Sequence, residues 1–218
     1  MNSNRARFEA IIFDMDGTLT EEDSSWLYLH RHFGTTKEAG KNLQEYKAER
    51  ISYTEFMKLD ISLWPRPLLS SEIERLLRQI KVSVGAKELI EFLNPRLKCL
   101  VISAGIDLLT VNVARALGIK NPLANGLEVD GAGYLTGEGI ERVPLFGKVA
   151  VAESLLRKEN IDWSRCIAVG DSPFDVDLLR NAGLSVAVGN DDELMKMAML
   201  RVPDLVKLLE VISKLQFG

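Results

Sequence analysis

Four short apolar runs, at residues 8–13, 97–102, 165–169 and 184–188, stand out from the periodic stretches around them. Runs this short and this continuously apolar predict buried strands of a parallel sheet, with the helix-length stretches between them as connections. Each run ends in a small or acidic residue: Asp14, Ser103, Gly170 with Asp171, and Gly189. Ligands of open α/β sheets sit beyond the carboxyl ends of the strands, so this polar edge is the predicted site.

Residues 21–81 differ in character. They are rich in charges and helix formers, and their apolar positions recur at helical spacing: Trp26, Leu27, Leu29, His30 and Phe33, then Ile51, Phe56, Met57, Leu59 and Leu63. Pro65-Arg66-Pro67 interrupts the pattern, and Ser70-Ser71-Glu72-Ile73-Glu74 reopens a helix with capping residues. Three or four short helices are expected here. They would form a small helical cap at 21–81 in a core made of 1–20 and 82–218, placed to act as a lid over the strand ends. Alternation at Leu127-Glu128-Val129, a turn at Asp130-Gly131-Ala132-Gly133 and a return at Tyr134-Leu135-Thr136 predict a β-hairpin over 123–136.

Composition narrows the classes of function. The 218 residues are 46% hydrophobic and 27% charged, enough for one core with a small insertion. A net charge of −4, from 31 acidic against 27 basic side chains, argues against a nucleic-acid surface. No apolar stretch is long enough to span a bilayer, and residues 1–7 are polar with no signal-type region behind them, so a cytoplasmic location is expected. Cys99 and Cys166 sit in or beside apolar runs and read as small buried hydrophobes rather than as a disulfide or a nucleophile.

The densest chemistry lies in Asp14-Met15-Asp16-Gly17-Thr18, directly after the first apolar run. An Asp-Gly turn alone would account for part of this motif. Two carboxylates at a buried strand end repel one another unless a cation or a proton intervenes, and Mg²⁺ takes such hard oxygen ligands. A carboxylate can attack phosphorus, and a second can protonate the leaving oxygen and later deprotonate water. Asp14, at the rigid strand terminus, suits the nucleophile, and Asp16 suits the acid and base.

Other candidates each carry a structural alternative. Ser103 either binds an anion together with the backbone N–H groups that follow it or caps a helix. Lys148 opens the periodic run 149–158 against the helix dipole, which points to a bound phosphate or to a tolerant surface position. In Gly170-Asp171-Ser172-Pro173-Phe174-Asp175, Asp171 can ligate a metal, while Asp175 closes a capping box, supports the metal site, or does both. Asp177 reads as a solvated carboxylate in a first helical turn. His30 and His32, two apart, would point in different directions on a helix and do not suit a shared metal. Trp26, Trp64, Met57 and Phe56 suit packing within the helical segment, and Lys37, Lys41, Lys47 and Arg50 suit a solvated helix face.

As a set in this order, Asp14-Met15-Asp16-Gly17-Thr18, Ser103, Lys148 and Gly170-Asp171-Ser172-Pro173-Phe174-Asp175 resemble the haloacid dehalogenase superfamily of phosphatases, over nearly the whole chain. The resemblance implies an α/β fold with a Rossmann-like parallel core, a Mg²⁺ cofactor and an aspartyl-phosphate intermediate. It implies Asp14 as nucleophile and metal ligand, and Asp16 as acid/base, binding metal through its backbone carbonyl. Asp171 would be a further metal ligand supported by Asp175, and Ser103, Ala104 and Lys148 would bind phosphate. Dehalogenases of the superfamily lack the second Asp and transport ATPases carry Thr there, so Asp16 points to phosphatases and phosphomutases.

The helical insert, the hairpin and the Ser103-Ala104-Gly105 turn are similar to the phosphoserine phosphatase branch, which marks Asp23 and Gly105 as specificity positions. Asp23 stands where that branch has a Glu for the substrate amine. Counting from Ile51-Ser52-Tyr53, the branch's carboxylate-binding arginine falls near Asp60, with Lys58 two residues earlier. An acid there would repel a carboxylate, which leaves the substrate open. The partner expected is a small phosphorylated metabolite, with no nucleic acid and no membrane, and the sequence is silent on oligomeric state. A phosphomutase on a sugar phosphate and a phospho-accepting regulatory module with little turnover are the competing functions.

Overall fold

The computed structural model describes residues 8–214; the polar stretch 1–7 considered above lies outside them. The first apolar run becomes β1 (Ala10–Phe13), buried at every position. Its flanks are β2 (Lys98–Ile106) and β5 (Cys166–Gly170), both parallel to it. With β3 (Leu123–Val129), β4 (Leu135–Ile140), β6 (Leu184–Val188) and β7 (Leu200–Val202), they form one seven-stranded sheet. Its order is β4-β3-β2-β1-β5-β6-β7. Among the described strands, β3 and β4 pair antiparallel and the other pairs of the sheet are parallel.

Alternation along β1 serves both faces of the sheet. Ile11 and Phe13 enter one apolar cluster, Ala10 and Ile12 the other. Continuous apolar runs are what a strand buried on both faces requires. Phe13 is level with Val101 on one side and with Val169 on the other, so three strand ends arrive together. The chain continues from β1 to β2 on one side and reaches β5 on the other, which makes this the switch point where an α/β sheet opens a crevice.

Between β1 and β2 lie α1 (Ser25–Phe33), α2 (Thr36–Lys47), α3 (Tyr53–Ser62), α4 (Ser70–Leu77) and α5 (Ala86–Leu93). Ser24 caps α1 by accepting from the Leu27 N–H, and Gly34, in the left-handed region at φ 72°, ends it. Ser52 caps α3 through the Glu55 N–H. The chain leaves for α1 and returns from α4 through an antiparallel bridge pairing Thr20 with Val82, where the Glu21 N–H donates to the Lys81 carbonyl at 3.0 Å. Apolar packing runs unbroken from Ile11 and Phe13 of the sheet to Leu29, Met57, Ile73 and Leu77 of these helices. The other face is covered by α7 (Lys148–Lys158), α8 (Val176–Asn181) and α9 (Asp192–Met197). Among the described residues no helix is long and apolar enough to cross a membrane.

Three details depart from the sequence expectations. β2 does not stop at Ile102: its ladder with β1 ends at Val101, and the strand runs on irregularly to Ile106, so Ser103 lies inside it. α4 begins after Leu69, whose N–H donates to the Glu72 carboxylate, so Ser70 is in the first turn rather than at the cap. β7 has no counterpart among the expected strands, because three residues are too short for a periodic signal. The hairpin is found, with its second strand reaching Ile140.

Candidate functional site

Asp14 follows β1 directly and is anchored there, its N–H donating to the Val169 carbonyl at 3.0 Å. Lys148, the first residue of α7, reaches it. Its Nζ lies 2.8 Å from Asp14 Oδ1 and 2.6 Å from Asp175 Oδ1. Lys148 is only 4% exposed, which removes the surface alternative. Two carboxylates at contact distance outweigh the ~0.3–1 kcal/mol that a cation loses at a helix N-terminus.

Asp171 follows β5 and accepts from Thr18 Oγ1 at 2.6 Å. Gly17 makes room for it: Gly17 is in the left-handed region at φ 77°, and a Cβ there would overlap the Asp171 carboxylate. Asp175 does two things at once. Oδ2 accepts from Ser172 Oγ and the N–H groups of Asp171 and Ser172, closing the capping box, while Oδ1 holds Lys148.

Oxygens of Asp14, Asp171 and Asp175 lie within 4.8 Å of one another. Burial pushes the Asp14 carboxyl up to about 7; Lys148 opposes that rise, and Asp175 adds to it. Burial raises Asp171 to about 8, reinforced by Asp14 and then Asp175. Burial alone would lower the Lys148 pKa, but Asp14 and Asp175 outweigh it and the amine is held charged. One lysine therefore leaves this group short of positive charge. An all-oxygen donor set with surplus negative charge fits a hard divalent cation such as Mg²⁺. Asp175 has partners on both oxygens and lies behind the others, whereas Asp14 and Asp171 face the cavity.

The Asp16 carboxylate stands apart from this trio. Its Oδ2 accepts from the N–H and Oγ of Ser25, at 2.8 and 2.7 Å, as α1 begins. Its Oδ1 is buried with no hydrogen-bond partner. Burial raises its pKa, and the Ser25 bonds hold the rise back. Gly105 packs so closely here that an added Cβ would collide with the Asp16 carboxylate and come within 2.7 Å of Ser25 Oγ.

Ser103 is not a helix cap. α6 (Asp107–Leu117) starts four residues later, after Ile106, and Ser103 Oγ instead accepts from the Gly105 N–H at 3.0 Å. What bends the chain is the Ala104 carbonyl. It accepts from Asn125 Nδ2 at 2.9 Å, Tyr53 Oη at 3.1 Å and Trp26 Nε1 at 3.2 Å. In a trans peptide the N–H points opposite to the carbonyl, so this clamp directs the Gly105 N–H toward the Ser103 hydroxyl. Asn125 is itself fully buried, and its Oδ1 accepts from the N–H groups of Arg142 and Val143.

These parts surround a cavity of about 640 Å³, lined by Asp14, Asp16, Ser103, Ala104, Gly105, Lys148 and Asp171, with exposed Asp23 also on its lining. Its helical wall holds Trp26, His30, Tyr53, Phe56 and Asp60. Asp60 is 2% exposed, accepts from Asn42 Nδ2 at 2.8 Å and lies 3.2 Å from His30 Nε2. His32 is exposed and packs edge-on to Phe33, so the two histidines do not converge. Trp26 and Trp64 stack at 5.7 Å between ring centroids. Lys37, Lys41, Lys47 and Arg50 are exposed, Lys47 over the Phe174 ring and Arg50 paired with Glu45. Asp177 is exposed and pairs with Arg180. Cys99 and Cys166 are buried free thiols that burial pushes up to about 12.

Sequence reasoning did not assign roles to Ser25, Thr18, Asn125, Tyr53 or His30. Thr18 lies within the acidic motif and Ser25 at a helix start, but nothing local to the other three marks their partners.

Comparison with known proteins agrees with this geometry. The model of the haloacid dehalogenase-like hydrolases matches residues 11–180. A phosphoserine phosphatase of Archaeoglobus fulgidus is 31% identical over 188 residues, 85% of this chain and 54% of that protein. The chain thus spans about half the length of that relative. The phosphoserine phosphatase of Methanocaldococcus jannaschii is 29% identical, over 81% of this chain and 83% of its own. A solved phospho-aspartyl intermediate analogue of phosphoserine phosphatase superposes with a TM-score of 0.78 at 26% identity, covering 94% of this chain and 99% of that one. The chain belongs to the haloacid dehalogenase-like hydrolase family. Within it, the chain resembles the phosphoserine phosphatase branch.

Proposed function

We propose that this chain is a Mg²⁺-dependent phosphomonoesterase that hydrolyses a small phosphorylated metabolite through an aspartyl phosphate on Asp14. The observation that carries the reading is the buried Lys148 bridging Asp14 and Asp175 beside Asp171, at the sheet's switch point. Asp14 and Asp171 would hold the metal, with the Asp16 main-chain carbonyl as the third expected ligand and Asp175 behind. Bound there, Mg²⁺ supplies the positive charge that lets a carboxylate and a phosphate dianion approach.

Asp14 attacks phosphorus, and the bond to the leaving oxygen breaks. Asp16 gives its proton to that oxygen through Oδ1; burial raises its pKa, and Ser25 holds the other oxygen. Asp16 then takes a proton from water as the water attacks the same phosphorus. The bond from phosphorus to Asp14 breaks, and inorganic phosphate leaves. Ser103 Oγ, held by the clamped Gly105 N–H, receives the phosphoryl oxygens together with the Ala104 main chain and Lys148. Residues 21–81 act as the lid, hinged where Thr20 bridges Val82.

Turnover of p-nitrophenyl phosphate with and without Mg²⁺ tests this reading. Metal-dependent release of nitrophenol that disappears in Asp14→Asn supports it. Absence of turnover, or equal turnover by Asp14→Asn, contradicts it.

A further inference from the structure

We propose that the cavity selects phosphomonoesters whose alcohol carries no carboxylate, with Asp60 as the specificity-determining residue; this rests on the phosphatase reading above. Among the described residues that line the cavity, Lys148 is the only lysine or arginine, and Asp14 and Asp175 already hold it. A phosphoryl group entering beside Lys148 leaves its alcohol portion facing the helical wall. That wall is lined by Trp26, Tyr53, Phe56 and the buried Asp60.

Asp60 is fixed rather than adventitious. Asn42 Nδ2 donates to Oδ1 at 2.8 Å, and His30 Nε2 faces Oδ2 at 3.2 Å. The imidazole is held from its other side, with Nδ1 2.8 Å from Thr35 Oγ1 and 3.4 Å from the Trp64 indole N–H that donates to it. Asp60 and Tyr53 share one face of α3, seven residues apart, and Tyr53 reaches the Ala104 carbonyl beside Ser103. The wall that carries Asp60 is thus tied to the phosphate end of the cavity. Lys47 stacks over Phe174 at 5.0 Å but is exposed and not part of the lining. A second anion on the substrate would find acidic side chains and no free cation at this wall, in surroundings where like charges repel far more than in water.

Two matched pairs of substrates isolate the effect. O-phosphoethanolamine differs from O-phosphoserine by the carboxylate, and glycerol 3-phosphate differs from 3-phosphoglycerate by an alcohol in place of the carboxylate. With Mg²⁺ and p-nitrophenyl phosphate as reference, the wild-type kcat/KM should favour the carboxylate-free member of at least one pair by about tenfold or more. Asp60→Asn should narrow that ratio to about threefold or less, while Asp60→Glu should keep it. Each ratio compares two substrates on one preparation, so loss of folded protein cancels.

The inference is overturned if neither pair shows the preference in the wild type while p-nitrophenyl phosphate is hydrolysed. It also fails, as to Asp60, if the ratio survives in Asp60→Asn. Should that variant not fold, the wild-type ratios decide the substrate class alone. Failure of the reference substrate would instead refute the phosphatase reading.

Discussion

The strand edge and the helical wall both bury aspartates against one cavity, on opposite electrostatic terms. At the edge, Asp14, Asp171 and Asp175 share a single lysine, and burial raises Asp14 to about 7 and Asp171 to about 8. On the wall, Asp60 accepts from Asn42 and has His30 Nε2 beside it at 3.2 Å. The edge is an unresolved charge that a cation and a phosphoryl group can complete, while the wall is a resolved one that sorts what enters. Burial of a carboxylate alone does not mark chemistry; the balance of its neighbours does.

The comparison breaks most directly at Asp14. Asp14→Asn should lower kcat by about 10³-fold or more, since an amide does not form the acyl phosphate. Its thermal midpoint in chelator should stay level or rise, because one of the crowded charges is gone. A large loss of stability with activity retained would reverse the roles assigned to this edge. Asp16→Asn comes next, with kcat reduced about 10²- to 10⁴-fold in steady-state assays as the proton carrier is lost.

Smaller effects sharpen the picture. Asn125→Ala leaves the N–H groups of Arg142 and Val143 without their acceptor and should cost about 3 kcal/mol in urea unfolding. Tyr53→Phe removes one of three donors to the Ala104 carbonyl and should cost about 1 kcal/mol, with a modest rise in KM.

The buried acids of the edge give the metal-free protein a pH dependence, to which Asp16, also raised, adds. Asp14 and Asp171 titrate above their ordinary 3.8, so between about pH 4 and pH 8 the native state holds more protons than the unfolded chain. Stability in chelator should therefore fall as pH rises through that window, and Mg²⁺ should restore more of it at pH 8 than at pH 5. Thermal unfolding curves that shift equally with metal at both pH values would contradict the surplus charge.

What was legible in the sequence is what is local. β1 and the Asp14/Asp16 pair lie within seven consecutive positions, and continuous apolarity followed by acid is enough to place both. The Ser172–Asp175 capping box is likewise local and was anticipated, though its second contact, with Lys148, is not written nearby. Ser103 was misplaced at a strand end because the course of β2 is set from afar: Asn125, Tyr53 and Trp26 all converge on Ala104. Ser25 carries no local mark of its role for a related reason, since its hydroxyl serves Asp16, nine positions earlier, across a turn. Asp60 was marked by position only; Asn42 and His30, which hold it, come from two other helices.

The most direct test of the central claim is acid quenching during turnover of p-nitrophenyl phosphate with Mg²⁺, followed by intact-mass and peptide analysis. The account predicts one added phosphoryl group, located on Asp14 and absent from Asp14→Asn. A phosphoryl group on another residue, or full turnover by Asp14→Asn, would contradict it.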